Sequence, residues 1–362
     1  MNCNNMILNL GPQHPSTHGV LRLILKLDGE KIVSCEPDIG YLHRGLEKIA
    51  ETRNYIQYLP MVDRIDYLSG FFYSYLFCNA LEELNSIEVP IVANYIRIIM
   101  MELNRIASHL LWLGTYLLDL GAISPMFYTF REREEILSYF EKITGQRMMY
   151  NYFIFGGVRH YNIELEEVER LILYLSEKIE EYEKLISENP IFVSRTKNIG
   201  VITKEMALDW SLTGPNLRAS GVVKDYRLNM PIYNDIEYDI VLDNNGDCYS
   251  RYIVRIYEMY ESLHIIEQCI DYLKSKSLPQ DNSSIHINRS KSGEIYSFVE
   301  APRGQSMCYV LSTGESTPYR LKWRTGSFYS TQILRELLKG CCLADIMAIY
   351  GSLDVVLPEV DR

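Results

Sequence analysis

The chemistry this chain can offer is concentrated in a few polar side chains set among apolar ones. His14 and His18 stand four residues apart in Gly11–Arg22, which runs Gly-Pro-Gln-His-Pro-Ser-Thr-His-Gly-Val-Leu-Arg. Tyr67 follows Arg64 and Asp66 closely, and Asp119 interrupts the most apolar region of the chain, 109–130. His and Tyr donate hydrogen bonds and can then pass on a proton, which suits a carbonyl ligand that becomes reduced. A carboxylate behind a His orients its ring and restores its proton. Each residue also has a plainer reading. Turn histidines bond to backbone, Tyr67 packs as a core aromatic, and Asp119 caps the turn after it. Spacing alone does not bring the four together. A second group, Arg97, Glu102, Arg105 and His109, sits in an otherwise apolar run. The steps 102 to 105 and 105 to 109 put the last three on one side of a helix. A helix apolar nearly all round is buried, so its charges must be paired. Arg97 and Glu102 read as structural ion-pair partners.

Other chemistries fit poorly. There is no Gly-x-Gly-x-x-Gly after a strand, no Gly-Lys-Ser/Thr loop and no nucleophile elbow, so the chain itself is not expected to hold NAD or ATP. His14 and His18 lack a third metal ligand nearby, and only Asp119 or Glu132 could supply one through the fold. The eight cysteines form no Cys-x-x-Cys pair. They suggest neither a disulfide framework nor a cluster cradle, and reduced thiols are the simplest account. A formal net charge of −11 argues against nucleic acid or an anionic lipid surface as the main partner. What remains is a neutral, partly apolar ligand, and a quinone head group has these needs. The N-terminus reads as neither signal peptide nor transit peptide. The uncharged core of 109–130 falls short of the roughly 20 residues of a membrane span. The expectation is a soluble chain or one held at a membrane by partners.

The elements that must position these residues are legible in outline. Pro15 and Gly19 exclude a continuous helix over the histidines and predict strand, tight turn, strand. Strands are expected over 6–40, with a turn at Gly29-Glu30. From Gly45 the apolar period becomes helical, with Pro60 closing the first helix. Further helices are expected over 64–84, 90 to about Gly114, 116–120, 130–142, 168–186 and 251–273, with turn-rich loops over 191–250. Ile295–Glu300 and Met307–Leu311 alternate around a Pro302-Arg303-Gly304 turn, and Arg320–Arg324 is a third strand. Helices over 333–340 and 343–350 close the pattern. The expected class is α+β: a buried helical bundle (45–190 and 251–273) with a small antiparallel sheet from both ends (1–40 and 295–330), in one domain spanning 1–362.

Several strings resemble a known family. Gly11–Arg22 is joined by Gly40-Tyr-Leu-His-Arg-Gly-Leu-Glu-Lys48, Arg105–Gly114, Phe130-Arg-Glu-Arg-Glu134, Arg147-Met-Met149, Gly156-Gly-Val158, Leu212-Thr-Gly-Pro215, Asp247-Cys-Tyr-x-Arg251-Tyr252, Glu300-Ala-Pro-Arg-Gly304 and Glu359-Val-Asp-Arg362. Their order resembles that of the quinone-binding, hydrogenase-like subunits of respiratory complex I, called D in bacteria, 7 in mitochondria and H in chloroplasts. The resemblance implies a fold like the nickel-iron hydrogenase large subunit. It implies a peripheral-arm subunit beside the membrane arm, on the cytoplasmic face of a bacterial inner membrane or the matrix or stromal side in an organelle. Its partners would be a small-hydrogenase-like subunit carrying the last 4Fe-4S cluster, other peripheral-arm subunits and membrane-arm subunits. His18 and Tyr67 would hold the quinone head, Asp119 would pair with His18, and Arg44 and His14 would lie towards the cluster. Electrons from NADH would arrive through other subunits, with proton pumping in the membrane arm.

The wider family holds nickel with two cysteine pairs. Here the first pair is replaced by Asp66 and Ser69, and Asp354-Val-Val carries no thiol. Thiolates are the nickel ligands, so the expectation is no nickel, no iron-sulfur cluster and no nucleotide in this chain. Met149 replaces a common histidine, Ile154 a common arginine and Pro358 a usual glycine. The same scaffold also serves complexes fed by ferredoxin or a deazaflavin, and a non-catalytic scaffold subunit is the remaining alternative. Retention of His18, Tyr67 and Asp119 together speaks against the last.

Overall fold

The computed structural model describes residues 6–14, 19–276 and 285–362, except the side chains of Gln13 and His14. The N-terminal alternation makes β1 (Met6–Leu10), β2 (Gln13–His14), β3 (Gly19–Val20), β4 (Arg22–Asp28) and β5 (Lys31–Asp38). An antiparallel sheet runs β1-β4-β5. In β4 Leu23, Leu25 and Leu27 are buried while Lys26 and Asp28 face solvent, as a half-buried strand requires. β2 and β3 pair Gln13 with Val20 and His14 with Gly19. The strands expected before and after the histidines are β1 and β4, which pair with each other, whereas His14, expected on the loop between them, lies in β2; His18 lies outside the described residues.

The helix expected from Gly45 to Pro60 is two helices, α1 (Leu46–Ala50) and α2 (Tyr55–Val62). Asn54 accepts from Gln57 N at 2.8 Å while the Gln57 side chain accepts from Asn54 N at 3.4 Å, a capping box that starts a second helix. Pro60 lies inside α2 rather than closing it. The carbonyl deprived of its helical donor is that of exposed Ile56. The stretch expected as helical from Arg64 becomes α3 only at Gly70 (Gly70–Asn85). The Asp66 side chain accepts from Leu68 N at 3.0 Å, offering the backbone a turn in place of a helix.

The bundle is built on α4 (Ile91–Asp119), which packs against α3, α5 (Ser124–Thr144) and the later α10 (Cys248–Lys274). The helices expected to end near Gly114 and to span 116–120 are one continuous element. Gly114 is a contact point instead. A Cβ there would run into Thr129 Oγ1 of α5 and lie 3.3 Å from Met126 Cα. Helix propensity alone would make Gly114→Ala stabilising by about 1 kcal/mol. Overpacking against α5 is expected to reverse the sign, to a net loss of about 1–2 kcal/mol in urea unfolding. A raised midpoint would refute the contact.

β6 (Phe153–Ile154) and β7 (Gly157–Val158) form a minimal hairpin, followed by α6 (Leu165–Tyr182), which continues as a π-helical turn to Ser187. Short helices α7 (Pro190–Thr196), α8 (Lys204–Asp209) and α9 (Pro215–Arg218) occupy the turn-rich stretch, and α10 spans Cys248–Lys274. β8 (Ser292–Ala301), β9 (Gly304–Thr313) and β10 (Arg320–Arg324) make a second antiparallel sheet, ordered β10-β9-β8. α11 (Gly326–Gln332), α12 (Leu334–Leu337), α13 (Ile346–Ser352) and α14 (Leu357–Asp361) end the chain, so the helices expected over 333–340 and 343–350 are shorter pieces.

The α+β class stands, but the strands of the two ends form two sheets rather than one. Leu21, Leu23, Leu25 and Leu27 bury against α12 and α13 residues, whereas Val299, Cys308, Val310 and Trp323 join the core of α3 and α4. Each sheet has its own apolar face to cover, and backbone hydrogen bonds from Ile32 N to Cys341 O, Gly340 N to Ile32 O and Leu343 N to Glu30 O tie the first sheet to the C-terminal segment.

Candidate functional site

Tyr67 lies at a cavity of about 170 Å³. Its walls are Tyr67 and Leu68 of the turn before α3, Leu111, Trp112 and Thr115 of α4, and residues of α13 and the segment before α14, Asp354 among them. The lining is largely apolar, and the space suits one substituted ring rather than a nucleotide. Trp112 Nε1 donates to Gly351 O at 2.7 Å and locks α4 to α13 across the cavity.

The turn that presents Tyr67 is fixed by a buried arginine. Arg303 Nη1 pairs with Asp66 Oδ2 at 2.6 Å and donates to Ser69 Oγ at 2.8 Å, while Nη2 donates to Ser108 Oγ of α4 at 3.0 Å. Burial opposes the Arg303 charge, but Asp354, Asp66 and Glu359 outweigh it and raise its pKa. Asp66 and Ser69 thus hold a guanidinium. The Tyr67 phenol is half-buried, and burial followed by the Asp66 charge pushes its pKa up, against the pull of Arg303 and Arg133. It stays a donor at neutral pH.

Asp119 ends α4 near the same cavity. A Cβ on Gly351 would lie 3.6 Å from Asp119 Oδ2. Tyr350 is driven upward first by burial and then by the Asp119 charge. The β2–β3 hairpin lies close by, since a Cβ on Gly19 would meet Leu357 Cδ1 at 2.9 Å, and Leu357 directly follows the wall residues Val355 and Val356. The structure therefore brings Tyr67, Asp119 and the hairpin to one neighbourhood. His18 is outside the described residues, as is the His14 side chain.

Arg44 is exposed and donates from Nη2 to Arg64 O at 2.7 Å, three residues before Tyr67. Burial and then the Arg64 charge lower its pKa. Its segment is tied to the terminus: Gly40 N and Leu42 N donate to Asp361 at 2.8 Å each, and His43 Nδ1 lies 2.7 Å from Asp361 O.

The remaining polar residues of the helices behave structurally. Arg97 is bidentate to Glu82 at 2.7 and 3.0 Å and donates to Gly157 O, holding the β6–β7 hairpin. Glu102 pairs with Arg105 at 2.9 Å and accepts from Tyr233 and Ser262. Arg105 also reaches Glu300 O of the β8–β9 hairpin, at 2.7 Å. His109 Nε2 lies 3.0 Å from Glu258, and burial lowers its pKa. Glu132, the other metal-ligand candidate, accepts from Tyr182 at 2.5 Å and from Tyr174. Among the described residues no group of three His, Cys, Asp or Glu is assembled as for a metal, and the seven described cysteines are free thiols.

Asp63, four residues before Tyr67, accepts from Ser74 and from Asn151 N, and so anchors the loop carrying Met149. Burial pushes its carboxyl from 3.8 up to about 6, against the Ser74 and Asn151 hydrogen bonds. A raised folded pKa means the protonated form contributes stability. That contribution is full below about pH 4 and is lost as pH rises through about 6, on the order of 3 kcal/mol. Urea unfolding at pH 4 and pH 7 should show a smaller pH difference in Asp63→Asn than in the unmodified chain; equal differences would refute the assignment.

Residue type and spacing give Arg303 and Asp354 no role. Both lie in or beside strings that resemble the family, Glu300–Gly304 and Glu359–Arg362, but an arginine between Pro302 and Gly304 reads as an exposed turn residue. Only the packing of the hairpin against α3 and α4 buries it.

The family model described as respiratory-chain NADH dehydrogenase, 49 Kd subunit, matches residues 119–292 and 284–362. The chain is 48% identical over 360 residues to the D-type subunit of the NADH-quinone oxidoreductase of Geobacillus kaustophilus (strain HTA426), with 98% of each chain covered. It is 45% identical over 364 residues to the D-type subunit of the same enzyme of Bacillus mycoides (strain KBAB4), again covering 98% of each. It is also 45% identical over 397 residues to the H-type subunit of the NAD(P)H-quinone oxidoreductase of the organellar chromatophore of Paulinella chromatophora, covering 99% of this chain and 98% of that one. With a family model matched over more than half its length and relatives aligned end to end, the chain belongs to the family of the respiratory-chain NADH dehydrogenase 49 Kd subunit.

Proposed function

We propose that this chain is the quinone-reducing subunit of a multisubunit, proton-translocating NADH–quinone oxidoreductase, and that the cavity beside Tyr67 receives the quinone head group. The observation that carries the reading is a half-buried phenol, a hydrogen-bond donor at neutral pH, at the wall of a largely apolar cavity. A quinone takes up two electrons and two protons to become a quinol. Tyr67 donates a hydrogen bond to one carbonyl. His18, with Asp119 behind it, serves the other. Both are proton sources as charge builds on the oxygens. The electrons come from the 4Fe-4S cluster of a small-hydrogenase-like neighbour that docks near Arg44 and His14. This chain binds no nickel, cluster or nucleotide of its own.

Other peripheral-arm subunits and the membrane arm complete the assembly. The chain is a peripheral component on the cytoplasmic, matrix or stromal side, and among the described residues no helix is long and apolar enough to cross a membrane. NADH as donor follows the names of the relatives, and identifying the co-purified input subunits checks it. The test of the site is Tyr67→Phe in the assembled complex. Quinone reduction should be lost and NADH oxidation by an artificial acceptor retained.

A further inference from the structure

The cavity beside Tyr67 has a second polar group, to which quinone reduction as described gives no task. Among the described residues lining it, Asp354 is the one that carries a charge. Asp354 is 8% exposed, yet its Oδ2 is buried without a hydrogen-bond partner. The neighbouring cations stand off. Arg303 Nε is 3.7 Å from Oδ1 and Arg255 Nε is 4.0 Å from Oδ2, and both Nε atoms are themselves buried and unpartnered. A buried carboxylate ordinarily fills several of its acceptor positions. Here two guanidinium groups supply counter-charge and leave Oδ2 without a hydrogen bond. The backbone is committed to this arrangement. Asp354 has φ +54°, a left-handed conformation that Asp and Asn tolerate better than other side chains.

We infer that Asp354 is the acceptor for a hydroxyl of the reduced ligand, so that the cavity binds quinol in preference to quinone. A quinone presents only carbonyl oxygens, whose lone pairs a carboxylate repels. A quinol presents O–H groups, and one of them can donate to Asp354. No covalent bond changes in this contact. Differential affinity for the two forms shifts their equilibrium in the site by the same factor, so the carboxylate draws reduction forward. Arg303 connects this to Tyr67, because the same guanidinium faces Asp354 and holds Asp66. The inference rests on the cavity being a quinone site.

The test uses the assembled complex. A hydrogen bond to a charged acceptor is worth about tenfold or more in affinity. In Asp354→Asn, which keeps the shape and tolerates the backbone, inhibition by a short-tailed quinol should weaken about tenfold, with the KM of the matching quinone unchanged or lower. Both constants moving together, or neither moving, overturns the inference. Should Asp354→Asn fail to assemble, the unmodified complex decides. The dimethyl ether of the same quinol, lacking O–H, should inhibit about tenfold more weakly than the quinol itself. Equal inhibition overturns the inference. If Tyr67→Phe leaves quinone reduction intact, the cavity reading itself has failed. If Tyr67→Phe abolishes it while the quinol shows no advantage, only the role of Asp354 falls.

Discussion

In the assembled complex, Tyr67→Phe is expected to lower the turnover of quinone reduction by about 10²-fold, the contribution of one positioned proton donor. The ring is kept, so the walls built by Leu68, Trp112 and Val355 keep their packing. Only the hydroxyl is lost. A phenol ordinarily titrates well above neutral pH, and burial moves Tyr67 further up, so the loss should be the same from about pH 6 to 8. The effect should fall on turnover more than on KM, since a quinone oxygen that becomes a phenolate needs the donor most as charge develops. His18→Ala is expected to give a parallel loss. NADH oxidation by an artificial acceptor, measured in the same preparations, should stay unchanged. Quinone reduction at the original rate in both variants would sink the site.

Arg218→Met is expected to destabilise the chain by about 3–5 kcal/mol, enough to prevent assembly. Arg218 is fully buried among three carboxylates. It pairs with Glu258, with Glu300 at 2.7 Å and with Asp225 at 3.6 Å. Glu258 in turn meets His109, and Asp225 pairs with Arg227 at 2.8 Å. Removing the central cation leaves buried negative charge that no other residue can neutralise fully. Arg335→Ala, which breaks a surface pair with Glu36, should cost less than about 1 kcal/mol. Urea unfolding or recovery of the assembled complex measures both, and equal losses would mean that the buried cluster carries no special weight.

The Arg218 cluster links the helical bundle to the β8–β9 hairpin, because Glu300 sits three residues before Arg303. Arg303 then reaches Asp66 and Ser108. Charged groups thus run from α10 through the hairpin to the turn that presents Tyr67. Changes far from the cavity, at Arg218 or Glu258, should be felt there as altered placement of Tyr67.

Local pattern was enough for much of the fold. The strands over 6–40, the hairpin around Pro302-Arg303-Gly304 and the long helices 168–186 and 251–273 follow from apolar period and turn residues, which act over a few neighbours. The errors share a cause. Gly114 looks like a helix end, yet it lets α5 come close. Arg64 looks like a helix start, yet the Asp66 side chain makes a turn. The strands of the two termini look like one sheet, yet each lies on a different core.

The site divides in the same way. The sequence by itself determined which groups are available, Tyr67 with its neighbours Asp66 and Ser69, Asp119 in an apolar run, and two histidines four residues apart, because residue type and spacing are written in order along the chain. Only the tertiary structure decided that Tyr67 and Asp119 share a neighbourhood, that Arg303 stands behind Asp66, and that Asp354 Oδ2 is left without a hydrogen bond. Those facts depend on long-range packing between residues far apart in the chain. A hairpin arginine becomes a buried anchor only when α3 and α4 close over it.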